Sequence, residues 1–484
     1  MAGMSSSPLD AARAPISALL EQIHPEEHVI VTAEVDVRKD KQDEFEKRVR
    51  TFELEVSAIP DVLLFNYGEA KEFDDRIRYL LYEDWRTAEA FRKRWFSAEL
   101  EKFGQDVMPF LAGPPRFQLL RVPPHAPRPR VLQTGARKCW DIEGREIDGT
   151  GTGQDGEIRS GIPAPDPRFR DNGNGTVTDL LTDLTWLKNA DAFGELEWRD
   201  ALNKARTLSQ GGYGLTDGSK AGDWRLANIR ELLSLIDYGE SDPILPRQNP
   251  FPFDNVKTGI YWTSTTLTPA PRLAWMMTLG IGPTVFLVKD SRARMWPVRG
   301  NSGLVLQTGQ EQAWDSDGKL LGSTAGSGQD GDVQAGVPLP AASQRFEDQK
   351  DGTVRDLVTG LVWLKNADAF GFKTWTHALA CCRSLRHGEA GLADGSERGQ
   401  WRLPNVREIE SLVDYGQVGP CLPTGHPFDN VRPSSYWTST TVAAGPTEAM
   451  FIILGVGPSI FESKEHQFFV WPVRDSLPRE TAGR

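Results

Sequence analysis

Between His28 and Val37 apolar residues fall at every second position: Val29, Val31, Ala33, Val35 and Val37. That period puts them on one face of a strand. From Asp40 to Val56 the period becomes helical, with Phe45, Val49, Phe52 and Val56 on one stripe. Val62–Tyr67 and Arg76–Glu83 read as further strands, and Arg116–Val122 as a last one. Thr87–Leu111 reads as one helix with Thr87 as its N-cap. Ahead of these, Ile16, Leu19, Leu20 and Ile23 follow Pro15 as a short amphipathic helix within a tail over residues 1–27.

The order β-α-β-β-α-β is the split βαβ arrangement of a ferredoxin-like α+β domain, here over residues 28–122. A Pro-rich linker follows at 123–130. Beyond it the pattern occurs twice. Trp186-Leu-Lys-Asn-Ala-Asp-Ala-Phe-Gly194 returns letter for letter at 363–371, an offset of 177 residues. Trp224-Arg-Leu, Asp237-Tyr-Gly, Phe253-Asp-Asn-Val, Tyr261–Thr266 and Trp296-Pro-Val-Arg all return at 175 to 177. The chain therefore holds two copies of one module, residues 131–300 and 305–475, and a tail at 476–484.

Each copy predicts the same elements. Val131–Gly135 starts a strand, and a hairpin over 169–186 follows a Gly/Asp-rich loop. One helix buries Trp198, Ala201, Leu202, Ala205 and Leu208; its repeat buries Trp375, Ala378, Leu379, Cys382 and Leu385, leaving Cys381 outside. A second helix opens at Asn228-Ile-Arg-Glu231, or Asn405-Val-Arg-Glu408, as a capping box. Strands at Gly259–Thr265, Leu273–Leu279, Thr284–Lys289 and Arg294–Arg299 complete it. The paired Trp186, Trp224, Trp262 and Trp296 read as core.

Composition narrows the function classes. A net charge of −12 argues against a general nucleic-acid binder. No apolar run reaches membrane-spanning length, and no signal peptide is visible. Cys139, Cys381, Cys382 and Cys421 each face a different residue type in the other copy. The module thus needs no disulfide, which points to a reducing, cytoplasmic setting, with secretion by a leaderless route left open.

The first domain resembles the antibiotic biosynthesis monooxygenase (ABM) family of dimeric α/β barrels, through Val31-Thr-Ala-Glu-Val35, Phe45, Tyr82-Glu-Asp-Trp85, Ala90-Phe91, Ser97 and Phe103. That family includes cofactor-independent oxygenases and haem-degrading enzymes. Where it commonly carries histidines, this chain has Arg94 and Glu99, so the usual imidazole is missing. Asn66, Tyr82, Trp85, Arg94 and Trp95 are the pocket candidates; the plain alternative packs Tyr82 and Trp85 in the sheet and leaves Arg94 solvated. Trp224-Arg-Leu, Asn228-Ile-Arg-Glu-Leu, Tyr261-Trp-Thr-Ser-Thr-Thr and Trp296-Pro-Val-Arg, with their repeats, resemble the Lcl C-terminal domain family, named for a collagen-like bacterial adhesin. Two helices followed by antiparallel strands also look like the C-type lectin fold. The resemblance implies a glycan or protein ligand in a bacterial protein.

Loop residues before a strand, Asp254, Asn255, Asp429 and Asn430, are the ligand candidates. Asp171, Asn172, Asn174 and Asp179 form a calcium candidate of oxygen donors, against the plain reading as turn chemistry. No cofactor is expected otherwise. The reading is a non-catalytic binding or assembly protein, a homodimer or higher homo-oligomer through the ABM-like domain, with the two lectin-like modules presenting a ligand surface. The alternatives are an ABM-type monooxygenase with the repeats as scaffold, and a structural self-assembling protein. The loops of the two copies diverge, so the copies are expected to bind differently.

Overall fold

A computed structural model describes residues 15–21, 23, 29–57, 59, 62–85, 87–121 and 131–476. The Pro-rich segment 123–130 and nearly all of the tail 476–484 lie outside the described residues. The chain divides into two compact units, with the break between Ala126 and Pro127.

The first unit is β1 (Val29–Arg38), α1 (Gln42–Ser57), β2 (Val62–Glu72), β3 (Arg76–Trp85), α2 (Ala88–Trp95), α3 (Ala98–Val107) and β4 (Arg116–Arg121). Its antiparallel sheet runs β2-β3-β1-β4, the ferredoxin-like order. Val29, Val31, Ala33, Val35 and Val37 are all buried, and they pack with Phe45, Val49, Phe52 and Val56 of α1. Where one helix was expected over 87–111 there are two. Ser97 ends the first by capping the second: its hydroxyl accepts from Leu100 N at 3.2 Å. The helical turn over 15–20 docks on this unit through Ile16 and Leu20.

The second unit contains both copies, folded alike. In the first, Phe169–Asp171, Thr176–Asp179, Thr185–Leu187, Pro297–Arg299 and Arg225–Leu226 form one antiparallel sheet. Ile260–Thr266, Leu273–Thr278 and Thr284–Val288 form a second. The other copy repeats them at Phe346–Asp348, Thr353–Asp356, Leu361–Leu364 and Val473–Asp475, and at Ser435–Thr441, Glu448–Ile453 and Ser459–Ser463. None of these sheets closes. Val131–Gly135 is not a strand; it makes a single bridge, Leu132 to Ile162.

The repeated tryptophans are the core: Trp186, Trp224, Trp262 and Trp296 are buried, as are Trp363, Trp401, Trp437 and Trp471. Trp186 and Trp296 stack edge-on at 5.5 Å. Truncating one such side chain typically costs about 3–5 kcal/mol. Both capping boxes form, and each capping glutamate also takes a two-pronged bond from an arginine, Arg225 to Glu231 and Arg402 to Glu408. This explains why Trp-Arg-Leu and Asn-x-Arg-Glu travel together.

The copies are interlocked. Residues 139–160 of the first copy, its arm, pack on the second, and 313–335 of the second pack on the first. Asp155 accepts from Thr440 and Asp330 from Thr265. The Asn405 side-chain amide donates to Ser160 O and that of Asn228 to Ala335 O. Nearer the centre, Arg407 donates to Ile236 O and Arg230 to Val413 O. These contacts come in reciprocal pairs, so the unit has approximate two-fold character. The repeated Gly-Gln-Asp-Gly motif builds the arm. Gln154 clamps the backbone N and O of Trp140, and a Cβ on Gly156 would lie 2.1 Å from Lys138 O.

Candidate functional site

In the first unit the helix-covered sheet face encloses a cavity of about 70 Å³, lined by Val31, Ala33, Phe52, Leu81, Trp95 and Phe103, with one carboxyl, Glu83. Burial raises the Glu83 carboxyl above its ordinary pKa, while the indole N–H of Trp85, at 2.8 Å, and the Arg94 charge pull it back. Of the five pocket candidates, Trp95 lines this cavity and Trp85 stands beside it. Arg94 is half-buried rather than solvated, lying 4.9 Å from the Phe52 ring centre. Its Nε and one Nη have no partner among the described residues. Tyr82 faces the other way. On β3 the buried positions are 77, 79, 81 and 85, so 82 belongs to the opposite face. Asn66 pairs with Tyr82 across the strands, and its side chain lies outside the described residues. The five therefore do not form one pocket. Glu83 was missed, although its place two residues before Trp85 puts it on the helix-covered face.

The ligand candidates of the repeats have structural work. Asp254 exchanges backbone bonds with Lys188 and Ala190, both 2.9 Å, and fastens the repeated Trp-Leu-Lys-Asn-Ala loop to the segment before the strand. Asn255 takes φ +55°, and its amide donates to Asn189 Oδ1 at 3.2 Å. Asp429 and Asn430 do the same with Lys365, Ala367 and Asn366. All four residues are exposed, and Lys365 lies 3.7 Å from the Asp429 carboxylate.

The calcium candidates do not converge. Asp171 accepts from Lys188 Nζ at 2.7 Å and from Gly173 N. Asn172 and Asn174 bond Thr176 and Thr178 of the same turn. Asp179 is fully buried and takes a two-pronged bond from Arg168 at 3.0 and 2.7 Å. In the second copy Lys350 and Lys365 both hold Asp348, keeping its carboxyl far below the usual range. Among the described residues no cluster of three metal-ligating side chains occurs. Turn chemistry accounts for these residues.

Larger spaces open where an arm meets the other copy. An open cleft of about 660 Å³ lies between the first copy's arm and helix Trp375–Ser384, lined by Trp140, Ile142, Ile147, Leu379, Arg383 and Arg398. Ile142 and Ile147 are exposed. Trp140 was legible as a repeated residue, matching Trp314; its meeting with Arg383 was not, because the exchange of arms brings them together. All four cysteines are unpaired, with Cys382 in the core and Cys381 half-buried. Among the described residues no helix is long and apolar enough to cross a membrane.

Family models match the chain as the Lcl C-terminal domain over residues 175–299 and 352–474, and as antibiotic biosynthesis monooxygenase over 28–103. Similar solved structures include a putative antibiotic biosynthesis monooxygenase from Nitrosomonas europaea, 18% identical over 21% of this chain and 93% of that one, TM-score 0.19. One from Caulobacter crescentus is 22% identical over 21% and 95%, TM-score 0.20. A dimeric ferredoxin-like protein of unknown function from Thermobifida fusca is 14% identical over 21% and 96%, TM-score 0.18. No curated protein matches the chain.

Proposed function

The chain belongs to the Lcl C-terminal domain family through both of its repeats, and on that premise we propose a non-catalytic binding and assembly protein. Its ABM-like unit joins a second copy of the chain, and its paired, lectin-like repeats present a cleft to a glycan or protein ligand. The observation that carries this is one of scale. The cavity of the ABM-like unit, about 70 Å³, is roughly half of the ~150 Å³ that holds a benzene. The Trp140–Arg383–Arg398 cleft, at about 660 Å³, is of ligand size, and it joins an aromatic surface to two guanidinium groups, a combination suited to an acidic or polar ligand.

Self-association is supported by the sheet. Its helices cover one face, while Leu80 on the other is 41% exposed. Light scattering on the full chain should give twice the chain mass, and Leu80→Asp should halve it; a wild-type monomer at micromolar concentration would reject the assembly half. A glycan array probed with the full chain should give hits lost in Trp140→Ala and Arg383→Ala. Hits that survive both substitutions, or none at all, would reject the cleft.

The second reading is a cofactor-independent monooxygenase of ABM type, with Glu83 as base. One observation favours it: a carboxyl of raised pKa beside an apolar cavity, an arrangement common at sites of proton transfer. Oxygen uptake with an apolar phenol, abolished by Glu83→Gln, would favour this reading over the first.

A further inference from the structure

Because the copies interlock reciprocally, most contacts between one copy and the other have a counterpart; those of Gln310 do not. Gln310, just ahead of the second copy's arm, lays its carboxamide against the first copy. Its Oε1 accepts from Thr266 N at 2.9 Å, and its Nε2 donates to Thr266 O at 2.7 Å and to Thr268 Oγ1 at 3.3 Å. Thr268 Oγ1 in turn donates to Tyr415 O at 2.6 Å. In the mirrored place Ala136 stands for Gln310, in step with Gly135 for Gly309, and Ala443 stands for Thr268. Both side chains that fill the space on one side are methyl groups on the other.

The result is a cleft of about 380 Å³ whose lining includes Ala136, Arg137, Tyr238, Glu240, Thr441 and Ala443. Thr441 corresponds to Thr266 and holds the same place in its sheet, opposite Ala449 as Thr266 is opposite Ala274. Thr441 is only 7% exposed, and its hydroxyl has no hydrogen-bond partner among the described residues; the buried Tyr238 hydroxyl likewise has none. A buried hydroxyl left unpaired costs about 1–3 kcal/mol, so unpaired hydroxyls on two residues that line one cleft mark a place where a polar ligand could bring relief. At the rim Glu240 pairs with both Arg137 and Arg247, and Arg137 pairs also with Asp237, which leaves the entrance polar and locally charge-balanced.

We propose that this cleft binds a small molecule through a primary carboxamide, and that Gln310 is the internal copy of that ligand. A primary amide presents an N–H donor and a C=O acceptor on the same edge. The backbone N–H and C=O of one residue can meet both at once, as Thr266 does with Gln310. A carboxylate has no donor for the carbonyl. A trans secondary amide has its N–H and C=O on opposite edges, so an N-acetyl group does not reproduce the pair. The site lies wholly within the paired-repeat unit; it shares Trp140 and Gln154 with the larger cleft but does not depend on the dimer or on catalysis.

Propionamide is the glutamine side chain detached, and it is the probe. Saturation-transfer NMR on the full chain at millimolar probe should give a strong signal for propionamide and at least several-fold weaker signals for propionate and N-methylpropionamide. Ala136→Gln, which supplies the amide from the chain itself, should remove the propionamide signal and raise Tm. Ala443→Thr, which narrows the space from the other side, should reduce it. The wild-type comparison stands without either variant. Equal signals from the three probes, no signal from propionamide, or a signal that persists in a folded Ala136→Gln protein would each overturn the proposal.

Discussion

The hydroxyl of Thr440 donates a hydrogen bond to the carboxylate of Asp155 at 2.7 Å, across 285 residues of chain. Thr265 and Asp330 repeat the bond at 2.6 Å in the opposite sense. Each Asp is fully buried, and burial raises each pKa to about 6. The two bonds fasten each arm to the copy it does not belong to, so the link at 300–304 is not what holds the copies together.

A cut in that link should therefore leave the protein whole. Gly303 is exposed, while Ser302 is buried and accepts from Leu304 N and Val305 N, both at 3.1 Å. With a protease site inserted after Gly303, the two pieces should co-elute on gel filtration after cleavage and part only in denaturant. Separation in native buffer would mean the exchanged arms do not hold.

Stability should rise on the alkaline side of neutrality. Lys289 and Lys464 are buried at equivalent positions, each over a tryptophan ring, Trp198 at 4.1 Å and Trp375 at 4.3 Å, and each donating to carbonyls of the exchanged arm. Burial lowers their pKa values to about 7 and about 8. An unfolded lysine keeps its proton to about pH 10.4. Between pH 7 and 9 the unfolded chain thus binds more protons than the folded one, and stability increases with pH. The tryptophan faces and carbonyls favour the charged form and oppose burial, so we put the gain at on the order of 2 kcal/mol. Urea unfolding at pH 7 and pH 9 measures it. The Lys289→Met, Lys464→Met double variant should lose the pH dependence; a variant that keeps the slope would assign it to other groups.

Much of this architecture was legible because it is periodic or repeated. The alternation of Val29 to Val37 marks a buried strand face whatever it packs against. The stripe ending in Cys382 and the two capping boxes are local, and sequence carries local rules directly. The exchange of arms was illegible for a physical reason: Asp155 would meet the same residue type, Thr265 or Thr440, whether its arm packed on its own copy or the other. Repetition made the two arrangements chemically identical in the sequence. Repetition also hid the role of Asp254 and Asn255, since a shared loop residue has the same signature whether it holds the backbone or a ligand. The break between α2 and α3 turned on Ser97, which was read as a family residue rather than as a cap.

Ser97→Ala should destabilise the first unit by about 1 kcal/mol, the usual cost of losing an N-cap. Ser97→Asp, which keeps an acceptor for Leu100 N, should restore most of it. Hydrogen exchange at the Leu100 amide reads the effect locally, and unchanged protection in Ser97→Ala would remove the cap as the cause of the break.

The last test separates structure from binding at Asn255 and Asn430. Both lie in the left-handed region at φ +55°, and each donates from its side-chain amide to the asparagine of the repeated loop, Asn189 at 3.2 Å and Asn366 at 3.1 Å. Asn tolerates that backbone better than most residues, while Ala pays on the order of 1 kcal/mol for it. Glycine adopts it without strain but loses the side-chain bond, worth about 1 kcal/mol. Stability by urea unfolding should therefore fall in the order Asn, Gly, Ala at either position, with Ala about 2 kcal/mol below wild type by adding the two costs. Equal stability for all three, with ligand binding lost instead, would return these asparagines to the binding surface. The predicted order would place their work in joining the Trp-Leu-Lys-Asn-Ala loop to the segment before the strand.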